Sequence, residues 1–290
     1  MRALLRSDAR ASELPSELSI EPALGDLNNK ESLIEACTGI DLVIHLAGTA
    51  HVGSAAKGMD AQANAVGAEN LLSAAIEQGV SRFVFLSSSL AQAAESGAGD
   101  VTDYGKAKLA TERLLADRSA EIEFVVIRAV NVYGVGMKGN IAKMIDLISR
   151  NRLPRLPALS SRISLVGVED LAVAIILATK SPLATGKTYT VTDSEVYGIN
   201  AIEEAIYRIL SKPLSRWRTP AVLLYAASGA AGIASILLGG RGSISLRTYR
   251  NLTTDNMFDN DKICTELGFV PSTSFYQELP KIAAAYRKEK

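Results

Sequence analysis

Three apolar runs, Asp41–Gly48, Arg82–Leu86 and Glu123–Ala129, constrain this chain more than any other feature. Each is short and rich in valine, isoleucine, leucine or phenylalanine, as buried strands are. Helical patterns over about 60–79 and 104–117 separate them. Strands that alternate with helices in this way predict parallel βαβ units wound on both faces of one sheet. Two shorter strands, 2–6 and 18–24, come first. Asn29 is placed to cap a helix over Lys30–Thr38 that stops at Gly39. Past Gly134 the alternation loosens. A helix over 140–150 follows, then strands at 163–168 and 188–191 around a helix at 170–180. A helix at 201–212 and a C-terminal helix complete the reading.

Chemistry concentrates at the exit of the second run. Tyr104 and Lys108 stand four apart, so a helix places both on one face. An ammonium beside a phenol is expected to lower the tyrosine pKa and equip it to move protons. Ser87, Ser88 and Ser89 end the preceding strand, and open α/β sheets bind ligands at the carboxyl ends of their strands. A serine there can hydrogen-bond a carbonyl or hydroxyl. The three residues Ser88, Tyr104 and Lys108 therefore predict hydride transfer to or from a carbonyl.

A literal G-x-G-x-x-G runs from Gly134 to Gly139, but it is expected to be a decoy. A dinucleotide fingerprint is followed about 20 residues on by an acid or an arginine that reads the ribose. No acid occurs between Asp146 and Glu169, and the motif follows the Tyr/Lys helix instead of opening the fold. It reads as a crossover loop near the substrate. Arg6 ends the first short strand, where an arginine would accommodate a ribose 2′-phosphate. His45 lies in an apolar strand and reads as core. His51 reads as an exposed loop residue.

With 31 basic and 31 acidic residues and no basic tract, the chain shows no footprint for nucleic acid. Cys37 and Cys264 form no metal-ligand spacing, so no metal is expected and the compartment reads as reducing and cytoplasmic. The opening residues have too short an apolar run for a signal peptide. Thr219–Gly240 carries no charge and is long enough to span a bilayer. A buried helix or helical hairpin in the C-terminal region is expected over membrane contact.

Taken in order, Gly25-Asp26-Leu27, Asp41–Gly48, Asn64–Gly67, Phe83–Ser88, Tyr104–Lys108, Arg128–Gly134, Arg162 and Asp170 resemble the extended short-chain dehydrogenases/reductases, the NAD-dependent epimerase/dehydratase family. The run Val125–Asp170 is most similar to bacterial nucleotide-sugar epimerases and 4-keto-reductases of surface-polysaccharide synthesis. The resemblance implies a Rossmann-like α/β fold binding NAD or NADP, with a smaller, mostly helical C-terminal substrate region. It implies a cofactor domain of 1–134 plus about 163–195, a substrate region of about 135–162 and 196–290, and a possible homodimer. Tyr104 would be the acid/base on the sugar 4-oxygen, Lys108 would bind the nicotinamide ribose, and Ser88 would bond the same oxygen. Arg6, Asp26, Leu27, Leu46, Ala47, Gly48 and Asn64 would line the dinucleotide. Asn131, Lys138, Asn140 and Arg162 would hold a UDP- or TDP-sugar, with Arg162 on the diphosphate.

Two departures from the family pattern stand out. The strand exit reads Ser88-Ser89-Leu90 where dehydratases of the family carry Asp-Glu, which disfavours water elimination. The family's first strand and glycine-rich loop have no counterpart ahead of Arg2, so either the true start lies upstream or the chain is an N-terminally truncated relative, with unpaired strand edges expected. Two further readings follow. One is a truncated, catalytically impaired relative that acts as a binding protein. The other is a dehydrogenase of a steroid-like or other apolar alcohol.

Overall fold

The computed structural model describes residues 1–48, 57–97, 101–223, 225–226 and 252–288. His51 and most of the uncharged 219–240 segment lie outside them. Contacts divide the chain into two compact units, 1–128 with 175–189 and 129–174 with 190–290.

The first unit is α/β. Strands β1 (Arg2–Leu5) and β2 (Glu21–Leu24) pair in parallel, Arg2 opposite Glu21. Strands β3 (Leu42–His45), β4 (Arg82–Ser88), β5 (Glu123–Ala129) and β9 (Lys187–Val191) form a second sheet in the order β3-β4-β5-β9. There β3 and β4 run parallel, Leu42 opposite Arg82 through His45 opposite Phe85. Among the described residues no ladder joins the two sheets, so β1 and β3 each keep one open edge. Leu4 and Ile44, on those strands, are correspondingly exposed.

Helices follow their caps. In α1 (Lys30–Cys37) the Asn29 side chain accepts from the Ser32 amide. α2 (Lys57–Glu77) lays Leu71, Leu72, Ala74 and Ala75 into a core with Leu33, Phe83, Phe85, Leu115 and Val126. Each such large side chain, fully buried, contributes about 1.5–3 kcal/mol. Arg82 secures the far end of the sheet. Its guanidinium donates to the carbonyls of Ala178, Thr179 and Ser181 and pairs with Glu123 at 2.6 Å. A cation there satisfies the carbonyls that end α6 (Val168–Lys180).

Between Ser88 and Tyr104 the chain forms helix α3 (Ser89–Ser96). Ser88 caps it by accepting from the Leu90 amide, its interior is alanine-rich, and Gly97 closes it at φ +68°. The helix α4 (Asp103–Asp117) then starts on Thr102, whose hydroxyl accepts from the Gly105 amide at 2.8 Å.

The second unit begins inside the region expected to belong to the first. β6 (Asn131–Tyr133) pairs in parallel with β8 (Leu165–Gly167), while β7 (Arg162–Ile163) pairs antiparallel with β10 (Tyr197–Gly198). Tyr133, Ile163 and Leu165 fill a core with α5 (Asn140–Ser149), α7 (Ile199–Ile209) and α9 (Phe275–Lys288). Residues 129–134 and 163–174 therefore pack with this unit. A short helix, α8 (Asp261–Leu267), precedes α9. Asp170 is buried and accepts from the amides and hydroxyls of Ser272 and Thr273, which gives it a structural task. The glycine run 134–139 is the loop between β6 and α5, with Gly134, Gly136 and Gly139 all at positive φ. Among the described residues no helix is long and apolar enough to cross a membrane.

Candidate active site

Tyr104 and Lys108 share one face of α4, and both line a small pocket with His45, Ala47, Asn64, Phe85, Ala107 and Thr111. β3 delivers His45, β4 delivers Phe85 and α2 delivers Asn64. Lys108 is buried. Its ammonium donates to the Leu86 carbonyl at 2.8 Å and lies 4.5 Å over the Phe85 ring. It stands 5.8 Å from the centre of the Tyr104 ring. Ser88 sits two residues beyond Leu86, at the end of β4, with its hydroxyl on the Leu90 amide at 3.2 Å.

The electrostatics correct one expectation. Burial raises the Tyr104 pKa above that of a free phenol, and Lys108 does not lower it. The cation is turned onto the Leu86 carbonyl and the Phe85 ring, so desolvation wins. Lys108 itself is pushed down to about 8, by burial first, with Glu112 opposing. Near neutral pH the site thus holds a protonated phenol, able to donate, beside a cation that burial has brought close to release.

His45 is 4% exposed and stacks on Phe85 at 5.7 Å. Burial, then the charge of Lys108, lower its pKa to about 4. The unfolded chain takes up this proton near pH 6.5 while the folded chain resists until about 4. Stability from His45 is therefore full above pH 6.5 and is lost as pH falls toward 4. Between pH 7 and 4.5 this group alone is expected to remove roughly 2–3 kcal/mol. Urea unfolding at both pH values checks it: His45→Asn should show a correspondingly smaller acid loss, and an equal loss would refute the assignment.

Apart from Asn64 on α2, the residues expected to hold a dinucleotide lie just past the ends of three strands. Arg6, after β1, is exposed and lies 3.7 Å from Asp26, after β2. Asp26 accepts from the Asn28 amide and side chain, and Leu27 gives its carbonyl to Asn70. A Cβ on Gly67 would come within 2.8 Å of Leu27 Cβ, so glycine lets α2 approach that loop. Leu46, Ala47 and Gly48 are exposed past the end of β3. A Cβ on Gly48 would lie 3.4 Å from Lys108 Nζ, so the bare backbone leaves room beside the ammonium. These features fit a nicotinamide dinucleotide: a carboxylate and an arginine suit the adenosine end, while the lysine and tyrosine suit the reacting end.

In the second unit Asn131, Lys138 and Asn140 are exposed. Arg162 is exposed and already paired, its backbone amide and guanidinium both on the Asp255 carboxylate. Reading the sequence missed Glu112, Arg128 and Glu95. Arg128 bonds Glu112 at 2.6 Å and Glu95 at 2.8 Å, and Ser87 donates to Glu112. The four-residue step from Lys108 to Glu112 is the signal that was available.

The chain matches the model of the NAD dependent epimerase/dehydratase family over residues 4–192. It is 27% identical over 214 residues to a UDP-glucose 4-epimerase of Vibrio cholerae, covering 68% of this chain and 65% of that protein. It thus spans just under two thirds of that relative's length. It is 21% identical over 281 residues to a 2-alkyl-3-oxoalkanoate reductase of Stenotrophomonas maltophilia, covering 90% of this chain and 85% of that one. In fold it is similar to the crystal structure of UDP-glucose 4-epimerase from Thermotoga maritima with UDP-glucose. That likeness has a TM-score of 0.73 at 18% identity and covers 99% and 91% of the two chains.

Proposed function

The chain belongs to the NAD dependent epimerase/dehydratase family, and from that premise we propose that it is an NAD(P)-dependent epimerase or 4-keto-reductase of a UDP- or TDP-sugar, serving surface-polysaccharide precursors. One observation carries this reading: Tyr104 and Lys108 meet in a single pocket beside Phe85 of the strand that ends in Ser88, with the Lys108 ammonium on the Leu86 carbonyl of that strand. A nicotinamide dinucleotide held by these residues would supply the hydride chemistry. Tyr104 holds the proton that moves on or off the sugar oxygen. Ser88 orients that oxygen, and Lys108 holds the ribose and places a positive charge beside the phenol. Asn131, Lys138, Asn140 and Arg162 are assigned to the substrate.

Epimerisation or reduction fits this site better than dehydration. Residues 87–90 offer three serines and a leucine, so the strand exit carries no acid to eliminate water. The nearby carboxylate of Glu112 is occupied by Ser87 and Arg128.

A second reading, reduction of an apolar ketone, draws on the Stenotrophomonas relative and on the pairing of Arg162 with Asp255. Turnover of a UDP- and TDP-sugar panel, set beside a 3-oxoalkanoate, separates the two. For a nucleotide sugar, Arg162→Ala should raise KM by about tenfold or more, in line with the loss of a charge-assisted hydrogen bond. Unchanged KM together with turnover of the oxoalkanoate would favour the apolar substrate.

A further inference from the structure

Glu112 stands one turn beyond Lys108 on α4 and is 7% exposed. Its carboxylate accepts from the Ser87 hydroxyl and from Arg128, at 3.1 Å from Nε and 2.6 Å from Nη2. Arg128, on β5, also reaches Glu95 on α3. Lys108 meanwhile holds the carbonyl of Leu86, the residue before Ser87. Two successive residues of β4 are thus gripped by a cation and an anion one turn apart on the same helix, and Ser88 follows directly. Through Arg128 and Glu95 the same network reaches α3, the helix that Ser88 caps.

We propose that Glu112 is a positioning residue of the active site: with Arg128 as counter-ion it fixes Ser88 against Tyr104 and stabilises the ammonium of Lys108. A charge buried so deeply needs its partner, and here the carboxylate is shared between Arg128 and Ser87 at the strand exit. The assignment deepens the proposed function and rests on it. The groups facing Lys108 are Glu112 and Tyr104 from α4, His45 from β3, Phe85 and the Leu86 carbonyl from β4, and Asn64 from α2. Among the described residues only Glu112 of these is an anion, and it opposes the burial that brings Lys108 down to about 8. Those facing Glu112 are Arg128, Ser87 and Lys108.

The test needs no substrate. Competitive acetylation of Lys108 across pH, read by peptide mass spectrometry, gives its protonation midpoint in the free protein. Wild type is expected near pH 8. Glu112→Gln keeps the shape, removes the charge and should lower the midpoint by about half a pH unit or more. Glu112→Asp, which keeps the charge, should stay near the wild-type value. Ser87→Ala leaves the ion pair in place. It should keep the midpoint and speed amide exchange in the 86–96 peptide several-fold, while other peptides are unchanged. An unshifted midpoint in Glu112→Gln, or unchanged exchange in Ser87→Ala, overturns the proposal. Should Glu112→Gln fail to fold, the Ser87→Ala arm decides alone. Failure of the proposed function would show elsewhere, in turnover that survives loss of the Tyr104 hydroxyl.

Discussion

Tyr104→Phe is expected to lower turnover of a nucleotide sugar by about 10²–10⁴-fold, the usual contribution of a positioned acid or base. Folding stability should stay within about 1 kcal/mol of wild type, because the ring and its packing are retained and one hydroxyl is lost. The direction of the Tyr104 pKa matters here. Burial keeps the phenol protonated at neutral pH, so under the proposed function the residue would donate to a carbonyl oxygen as hydride arrives at carbon. Phenylalanine keeps the shape of the pocket and removes that proton. A parallel measurement of kcat and of urea unfolding distinguishes the chemical loss from a structural one. Lost stability equal to the lost activity would count against the assignment.

Gly105→Ala is expected to destabilise the fold by about 1–3 kcal/mol, the usual cost of overpacking. Helix propensity alone argues the other way, since alanine in a helix is favoured over glycine by about 1 kcal/mol. Contact decides the sign. A Cβ at Gly105 would sit 2.4 Å from the Leu90 carbonyl oxygen and 2.9 Å from its carbon. Both are backbone atoms, so no side-chain rotation relieves the overlap and α4 must move off α3. Leu90 is the residue whose amide the Ser88 hydroxyl accepts from, and Tyr104 is the neighbour of Gly105. The same substitution should therefore reduce turnover by at least about tenfold, since small misplacements of reacting groups are costly. Urea titration and steady-state kinetics on one preparation check both effects. A stabilised Gly105→Ala would show that the close approach of the two helices is absent.

The legible parts of the fold were those whose residues announce a period. The apolar runs at 41–48, 82–86 and 123–129 became β3, β4 and β5, and the cap at Asn29 opened α1 where its spacing required. α3 was not legible because three serines after a strand look like a polar exit, and only the Leu90 amide on Ser88 shows that one of them is a cap. The division of the chain was harder still. β6 and β8 are three residues each and pair across more than thirty residues of sequence, so their membership in the second unit is a matter of packing.

At the site, Tyr104, Lys108 and Ser88 could be named from spacing because one helix and one strand end fix them. Their electrostatics could not. The sequence shows a lysine near a tyrosine, and proximity alone argues for a lowered phenol pKa. Only the structure shows that Lys108 Nζ is spent on the Leu86 carbonyl and the Phe85 ring. The bond between Glu112 and Arg128 was hidden for a similar reason. They are sixteen positions apart, and nothing in the chain marks the strand residue that reaches back to the helix.

Under the proposed function this pocket directs hydride transfer at a sugar carbon. The most direct measurement follows deuterium through one turnover, using reduced dinucleotide labelled at the nicotinamide C4 for a keto-sugar, or a hexose nucleotide labelled at its own C4. A reductase delivers the label to the former carbonyl carbon, and an epimerase returns it to C4 with inverted configuration. Either result, abolished in Tyr104→Phe, is the one expected. Turnover in which the label washes out to solvent, or persists undiminished in Tyr104→Phe, would contradict the account.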